Sequence, residues 1–243
     1  MDGFIAVIIC AAGSSSRMGG TKKEYRFLNQ VDAEGNPLSV LASCVQNFSA
    51  IREIKHIVIT VPDDPVNGEQ GARKIIPHYL LENPSGPRIS FVSGGSSRQA
   101  SVYKALSFLE TFHPDYVLIH DGARPWIDAE LIHRVIDGMK QHRAVLPVMP
   151  LVETPKEIDD GGFIVRHLKR SSVFGAQTPQ GFLFPEILAA HERAALKNAR
   201  EYTDDAEVWA EFIGRVAAVP GNTQNKKITF PEDLPANEHR GAP

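Results

Sequence analysis

Cysteine is scarce: Cys10 and Cys44 are the only two in 243 residues. Two thiols build no disulfide framework, and no Cys/His spacing typical of a zinc site is present. Both sit in apolar stretches and read as small buried side chains in a reducing compartment. Long hydrophobic runs are also missing, and none approaches the roughly 18 residues of a membrane span. The N-terminal MDGFIAVIICAAG has no basic region before its short apolar run, so no secretory leader is expected and a cytoplasmic location is. Positive charge is not in excess: 26 Lys and Arg face 29 Asp and Glu, a net −3. That excludes the basic footprint of a nucleic-acid binder, and any positive charge that matters must be local. G-x-G-x-x-G and G-x-S-x-G are absent, and Gly13 is followed five positions on by Met18 with no Gly-Lys-Ser/Thr. A dinucleotide fingerprint, a P-loop and a serine-hydrolase elbow are thereby disfavoured.

What is present is an ordinary globular composition, 42% hydrophobic and 23% charged, over a length that buries a core without cross-links. Apolar runs of strand length recur at Phe4–Cys10, Ile54–Val61, Arg88–Val92, Tyr116–His120 and Ala144–Val148. The first, second and fourth are apolar on both faces, as strands covered by helices on two sides must be. Between them, Leu38–Phe48, Gln99–Thr111 and Asp128–Lys140 carry apolar stripes at helical spacing. The alternation predicts an α/β fold, a doubly wound and mostly parallel sheet. Ligands of such sheets bind beyond the carboxyl ends of the strands, here just after Cys10, Val92 and His120.

The pattern changes at 150–175, which holds no helical stripe. Two extended segments flank Asp159-Asp160-Gly161-Gly162, a turn signal. This reads as a projecting β-hairpin arm suited to dimerisation, with a plain surface hairpin as the alternative. Helices are expected again at Pro185–Ala199 and at Thr203–Phe212 with Thr203 as N-cap, and a last strand at Arg215–Val219. Residues 1–234 then form one domain, and 235–243 a flexible tail.

Three turns at the predicted sheet edge carry polar chemistry. Residues 10–23, C-A-A-G-S-S-S-R-M-G-G-T-K-K, let the backbone approach a phosphate chain and add the charges of Arg17, Lys22 and Lys23. In S-G-G-S-S-R-Q-A-S-V, residues 93–102, Arg98 suits phosphate or ribose and Ser101 a base edge or phosphate, with Ser96 or Ser97 also serving as a helix cap. In H-D-G-A-R-P-W, residues 120–126, Asp121 suits Mg²⁺ or a hydroxyl and Arg124 a phosphate. The later basic residues Lys156, Arg166, Lys169, Arg170, Lys226 and Lys227 read by default as solvated charge, although Lys226 and Lys227 sit between turn signals and a short apolar strand.

Taken in order, A-A-G-x-x-x-R-M-G, K-E-Y, S-G-G-x-x-R-x-x-S-V, H-D-G-A-R-P, T-P-K, A-Q-T-P-Q-G-F, T-D-D-A and N-K-K-I-T-F-P-E-D-L run from residue 11 to residue 234. The set closely resembles the 2-C-methyl-D-erythritol 4-phosphate cytidylyltransferase family of the non-mevalonate isoprenoid pathway. The resemblance implies a Rossmann-like nucleotidyltransferase that joins CMP from CTP to a sugar-alcohol phosphate with Mg²⁺ or another divalent cation. It assigns Ala11, Ala12, Gly13 and Ser15 to the loop around CTP, and Arg17 and Lys23 to the triphosphate. Gly95, Ser96, Arg98 and Ser101 match the cytidine-binding turn. Asp121, Gly122 and Arg124 match a site shared by metal and sugar phosphate, with Asp121 the metal carboxylate. Thr154, Arg170 and Lys227 match groups that hold the second substrate, Arg170 reaching across a homodimer from the arm. Lys22 stands where the family usually has proline, Glu24 where it has glutamine, and Ser96 where an acidic residue is frequent.

The implied chemistry is an in-line attack by a phosphate oxygen on the α-phosphorus, which needs charge stabilisation and alignment rather than a side-chain nucleophile. Arg17 and Lys23 serve the α-phosphoryl oxygens and leaving group, and Arg170 and Lys227 the attacking phosphate. Competing readings are a ribitol-5-phosphate cytidylyltransferase with the same nucleotide loops, and a nucleotide-binding protein without catalysis.

Overall fold

A computed structural model describes residues 3–18, 22–197 and 201–235. The chain runs through β1 (Ile5–Cys10), a short hairpin of β2 (Phe27–Val31) and β3 (Pro37–Ser39), α1 (Val40–Ser49), β4 (Ile54–Val61), α2 (Glu69–Ile75) and α3 (His78–Leu81). It continues with β5 (Arg88–Ser93), α4 (Arg98–Glu110), β6 (Tyr116–Asp121), α5 (Ala129–Met139) and β7 (Ala144–Pro150). Last come β8 (Lys156–Ile158), β9 (Ile164–His167), β10 (Phe174–Ala176), β11 (Gln180–Leu183), α6 (Phe184–Lys197), α7 (Asp205–Phe212) and β12 (Ala217–Pro220). No described helix is long and apolar enough to cross a membrane.

Successive side chains of a strand point to opposite faces of its sheet, so β1 feeds two cores at once. Ile5, Val7 and Ile9 enter one core with Leu41 and Phe48 of α1 and Leu131 and Val135 of α5. Ala6 and Ile8 enter the other with Leu106 of α4, Ile187 of α6 and Trp209 of α7. The described residues thus form a three-layer sandwich around an eight-stranded sheet.

The expected strands and helical stripes are present, with ends shifted by a few residues. Strands β5, β4, β1 and β6 are parallel neighbours, and β7 pairs in parallel with β12. Between β6 and β7 lies β11, antiparallel to both. It has no strand signature: its four residues, QGFL, directly follow Thr178-Pro179. Tertiary packing decides it. Phe182 is fully buried, 5.5 Å from the Trp209 ring, and a Cβ on Gly181 would lie 2.6 Å from Met139 Sδ. The β2–β3 hairpin, α2, α3 and β10 likewise lack a clear signal in the sequence. The cap of α7 is Asp204, whose side chain accepts from Glu207 N–H, rather than Thr203. Thr203 instead donates to the Glu207 carboxylate.

The β8–β9 hairpin forms around the expected turn, with Gly162 at φ 82°. It is a separate two-stranded sheet with every residue exposed. Residues 198–199 of the helix expected at Pro185–Ala199, and all but residue 235 of the expected tail, lie outside the described residues.

Register aligns the chemistry. Cys10 is level with Thr60 of β4 and with Asp121 of β6, and Val61 with Ser93 of β5. From β1 the chain winds outward through β4 and β5, then crosses to β6 on the other side. The crevice beside β1 is therefore a topological switch point, where doubly wound sheets bind ligands.

Candidate functional site

A cleft of about 750 Å³ opens at this edge, lined by the turns after β1, β4, β5 and β6 and by Lys227 and Thr229. The first loop is pinned at its start: the Ala11 N–H donates to Thr60 O at 3.1 Å and lies 3.2 Å from Thr60 Oγ1. Ser15 turns the chain at φ 51°, a region that L-residues seldom occupy. Its Oγ accepts from Lys23 N–H and donates to Glu24, both at 3.2 Å. Lys22 is buried, its Nζ donating to Gly13 O at 2.7 Å and lying 3.2 Å from Glu24 Oε2. Burial pulls its pKa below the ordinary lysine value against the opposing pull of Glu24. Lys23 is partly exposed, lines the cleft and donates to Ile228 O at 2.9 Å. Arg17 has its backbone in a 3-10 turn, Ser16–Met18, and its side chain lies outside the described residues.

The second turn is held against the first. A Cβ on Gly94 would come within 2.3 Å of Ala12 Cβ, and one on Gly95 within 2.5 Å of Ala100 Cβ. Ser101 Oγ accepts from Gly95 N–H at 2.9 Å and donates to Ser97 O at 2.8 Å, so its hydroxyl first orders the turn. Ser97 is the N-cap of α4, and Ser96 lines the cleft. We expect Gly94→Ala to force the two loops apart. It should cost about 1–3 kcal/mol of stability, the usual range for overpacking, and weaken binding of CTP, the ligand that the resemblance implies, about tenfold, an effect of similar energetic size. Calorimetry of the folded variant measures both, and unchanged affinity would show that the loops need not touch.

Asp121 ends β6 only 8% exposed. One carboxylate oxygen lies 3.3 Å from Arg98 Nε; the other lies 2.8 Å from Lys227 Nζ and 3.7 Å from Arg124 Nε. Burial alone would raise its pKa, but Arg98, Lys227 and Arg124 hold it well below the usual carboxylate range. Arg98 also reaches Asp205, with Nη2 2.8 Å from Oδ2, and His191 Nε2 lies 3.2 Å from Asp205 Oδ1. Both contacts are close by distance but off-line for hydrogen bonds. Burial pushes the Cys10 thiol up to about 12, which favours the neutral thiol at neutral pH.

Neighbouring segments lock this arrangement. Burial lowers the pKa of His120 to about 4, so its ring is neutral at pH 7. Its Nε2 lies 3.1 Å from Arg124 O, an acceptor, which places the proton on that nitrogen. Its Nδ1 then accepts from Thr178 Oγ1, which itself takes the Asp121 N–H at 3.1 Å. Gln177 exchanges two hydrogen bonds with the backbone of Asn222, Asn225 donates to Thr178 O, and Arg124 donates to Asn225 O. These bonds fix the segment that carries Lys227.

Among the expected site residues, Ala12, Gly13, Ser15, Lys23, Gly95 and Ser96 line one cleft with Arg98, Ser101, Asp121 and Lys227. Ala11 and Gly122 lie just beneath it as backbone supports, a Cβ on Gly122 falling 2.9 Å from Cys10 O. Arg124 stands behind Asp121, half-committed to Asn225. Thr154 and Arg170 are apart from the cleft, on the exposed arm, with Arg170 donating to Val152 O. Sequence reasoning missed Asp63, Asp64 and Asn67 in the lining. They come directly after β4, and the rule applied to the other strand ends would have found them there. Glu24 and Thr60, also in the lining, had no comparable signal.

The described residues contain no cluster of three or more His, Cys, Asp or Glu able to hold a metal by themselves. Magnesium commonly takes one or two carboxylates and completes its shell from substrate phosphates and water. Of the carboxylates that line the cleft, Glu24, Asp63, Asp64 and Asp121, Asp121 fits that mode at the end of β6, level with Cys10 where the first loop begins.

Backbone turns and cations gathered at a switch point suit a nucleoside triphosphate, and the class is that of nucleotidyltransferases on a doubly wound sheet. The chain belongs to the 2-C-methyl-D-erythritol 4-phosphate cytidylyltransferase family, IspD, whose model matches residues 5–239. Members of this family generally use a divalent metal. The bifunctional IspD/IspF enzymes of Rhizobium etli and Rhodopseudomonas palustris are 36% and 39% identical to it over 94% and 97% of its length. The chain spans about half the length of these curated relatives, 54% and 55%. The 4-diphosphocytidyl-2C-methyl-D-erythritol synthase of Anaerococcus prevotii superposes with a TM-score of 0.76 at 28% identity, covering 96% of this chain and 95% of that one. The 2-C-methyl-D-erythritol 4-phosphate cytidylyltransferase of Thermus thermophilus gives 0.70 at 29%, covering 96% of each.

Proposed function

We propose that the chain transfers CMP from CTP to 2-C-methyl-D-erythritol 4-phosphate and releases pyrophosphate. The observation that carries this reading is the meeting of two glycine turns with Asp121, Arg98 and Lys227 in one cleft. A phosphate oxygen of the acceptor forms a bond to the α-phosphorus as the bond to the bridging oxygen breaks, and pyrophosphate leaves with that electron pair. The nucleophile is already anionic, so the protein supplies alignment and charge. The loop of Ala11, Ala12, Gly13 and Ser15 cradles the phosphates, and Gly95, Ser96, Arg98, Ser101 and Gly122 hold the nucleoside end.

Arg17 and Lys23 stabilise charge on the α-phosphoryl and leaving groups. Lys23 suits this better than Lys22 because Lys22 is buried against Gly13 and Glu24. Asp121 is the carboxylate that would hold the divalent cation, which supplies charge neutralisation on the phosphates. Lys227, with Arg124 behind it, holds the acceptor phosphate.

Residues 1–234 act as one catalytic unit with 150–175 as its arm. In a homodimer, the arm of a second copy brings Thr154 and Arg170 to the acceptor. Exposed Val152, Ile158, Phe163, Ile164 and Val165 on the arm support this, as an apolar surface that no other described residue covers. The two free thiols suit a cytoplasmic setting.

The test is pyrophosphate release from CTP and Mg²⁺ with 2-C-methyl-D-erythritol 4-phosphate and ribitol 5-phosphate offered separately. Turnover is expected with the first; turnover with ribitol phosphate alone moves the acceptor assignment. Alanine at Arg17 or Lys23 should lower kcat about 10²–10³-fold, the cost of losing one transition-state charge partner. An unchanged rate removes that residue from the mechanism.

A further inference from the structure

The first loop holds a buried ion pair that the transfer chemistry leaves unused. Lys22 is 8% exposed and Glu24 3%. Their contacts form a circuit. Lys22 Nζ donates to Gly13 O at 2.7 Å and lies 3.2 Å from Glu24 Oε2. The same carboxylate oxygen accepts from Ser15 Oγ at 3.2 Å, and Ser15 Oγ takes the Lys23 N–H. The circuit joins the front of the loop, at Gly13 and Ser15, to its far end, at Lys22 to Glu24. Ser15 is held at a positive φ within it. The adjacent Tyr25 ring lies 5.8 Å from Lys22 Nζ, and its hydroxyl donates to Asn67 O, which carries the circuit to the turn after β4.

A buried pair of this kind is tolerated only with both members present, since either charge alone is left uncompensated. Its contacts fall on the backbone and on Ser15, in the segment assigned to the phosphate cradle. The Lys22 ammonium also occupies the Gly13 carbonyl, whose oxygen would repel a phosphate if it faced one.

We infer that Lys22 and Glu24 are a latch that sets the shape of the triphosphate loop. They are positioning residues that act on CTP through Gly13 and Ser15. This rests on the reading of the loop as a CTP cradle. It also accounts for two departures from the family pattern at once: a lysine in place of proline, and a glutamate in place of glutamine, pair with each other. An electrostatic tie stands where the ring of proline would restrict the chain.

The test uses the full chain and the variants Lys22→Met, Glu24→Gln, the double variant, and Lys22→Arg. CTP affinity in Mg²⁺, KM for CTP, kcat and Tm are measured for each. Each single neutralisation should raise Kd and KM for CTP about tenfold, the size of a coupled contact, with kcat within about twofold, because the latch touches no reacting atom. The double variant should bind CTP better than the worse single variant, since it leaves no lone buried charge, and Lys22→Arg should recover part of the affinity. A purely structural role would lower Tm and leave KM unchanged. Unchanged KM in both single variants, or strictly additive losses in the double, overturns the latch. If a single variant does not fold, the double and Lys22→Arg decide: a double variant as poorly folded as that single overturns the pairing. Wild-type protein that binds no CTP removes the cradle reading and the latch with it. Wild-type binding with unaffected variants removes the latch alone.

Discussion

Asp121→Asn is expected to lower kcat/KM by about 10²–10³-fold, the loss typical of a preorganised electrostatic group, at nearly constant side-chain volume. The native carboxylate sits among Arg98, Lys227 and Arg124, and it is the group proposed to hold the cation. Neutralising it leaves positive charges facing one another across the sheet edge and takes away the metal's carboxylate. The change should also show in stability. The folded-state pKa is depressed, so the interaction contributes fully above the unfolded value of about 3.9 and is lost as the pH falls below it. Thermal melts of wild type and variant should therefore differ at pH 7 and converge in acid from about pH 4 downward. A variant with wild-type turnover would exclude Asp121 from the reaction, and a Tm gap independent of pH would exclude the charge as the cause.

Asp205→Asn is expected to cost about 3–5 kcal/mol of stability, the range for breaking a buried pair by removing one partner. At about 2–4 °C per kcal/mol for a chain of this size, the melt should fall by roughly 6–20 °C. Asp205 is 1% exposed and lies between Arg98 and His191. Burial alone would raise its pKa, and Arg98 together with His191 outweighs that, so the net shift is downward. The substitution keeps the shape and removes the charge that balances a largely buried guanidinium. Arg98 would then lean on Asp121 alone, and the surviving folded protein should bind CTP less well. Arg98→Met combined with Asp205→Asn should be more stable than Asp205→Asn by itself. A loss under about 1 kcal/mol, the scale of an exposed pair, would show that solvent already compensates Arg98.

Much of the site could be read along the chain because its parts are local. A glycine turn after an apolar strand, a carboxylate at a strand end and a cap before a helix each declare themselves within about ten residues. Ser97 and the Asp159–Gly162 turn appear as expected. The motif A-Q-T-P-Q-G-F was legible only as part of a resemblance. Its function in the fold is remote: Gln177 secures Asn222, Thr178 joins His120 to the Asp121 backbone, and Gln180 accepts from Ala206 N–H at the start of α7. The pair Lys22 and Glu24 shows the same limit at short range. Along the chain Lys22 reads as one of the loop's charges for a phosphate, and its pairing with Glu24 shows only once the chain around them closes and buries both.

By itself the sequence determined the layered α/β architecture, because apolar periodicity states which elements are covered on one face and which on two. It also determined where chemistry would lie, since the polar turns come after strands whose carboxyl ends share one edge. Only the tertiary structure decided that β11 enters the sheet antiparallel between β6 and β7, where close packing of Met139 and Val135 against Gly181 and burial of Phe182 outweigh weak local propensity. It alone decided which charges meet. Arg98 finds Asp121 and Asp205, and Lys227 finds Asp121 from 106 positions away along the chain (227 − 121). Turn chemistry acts between neighbours in the chain, whereas ion pairing and burial act between neighbours in space, and packing of the two cores chooses those.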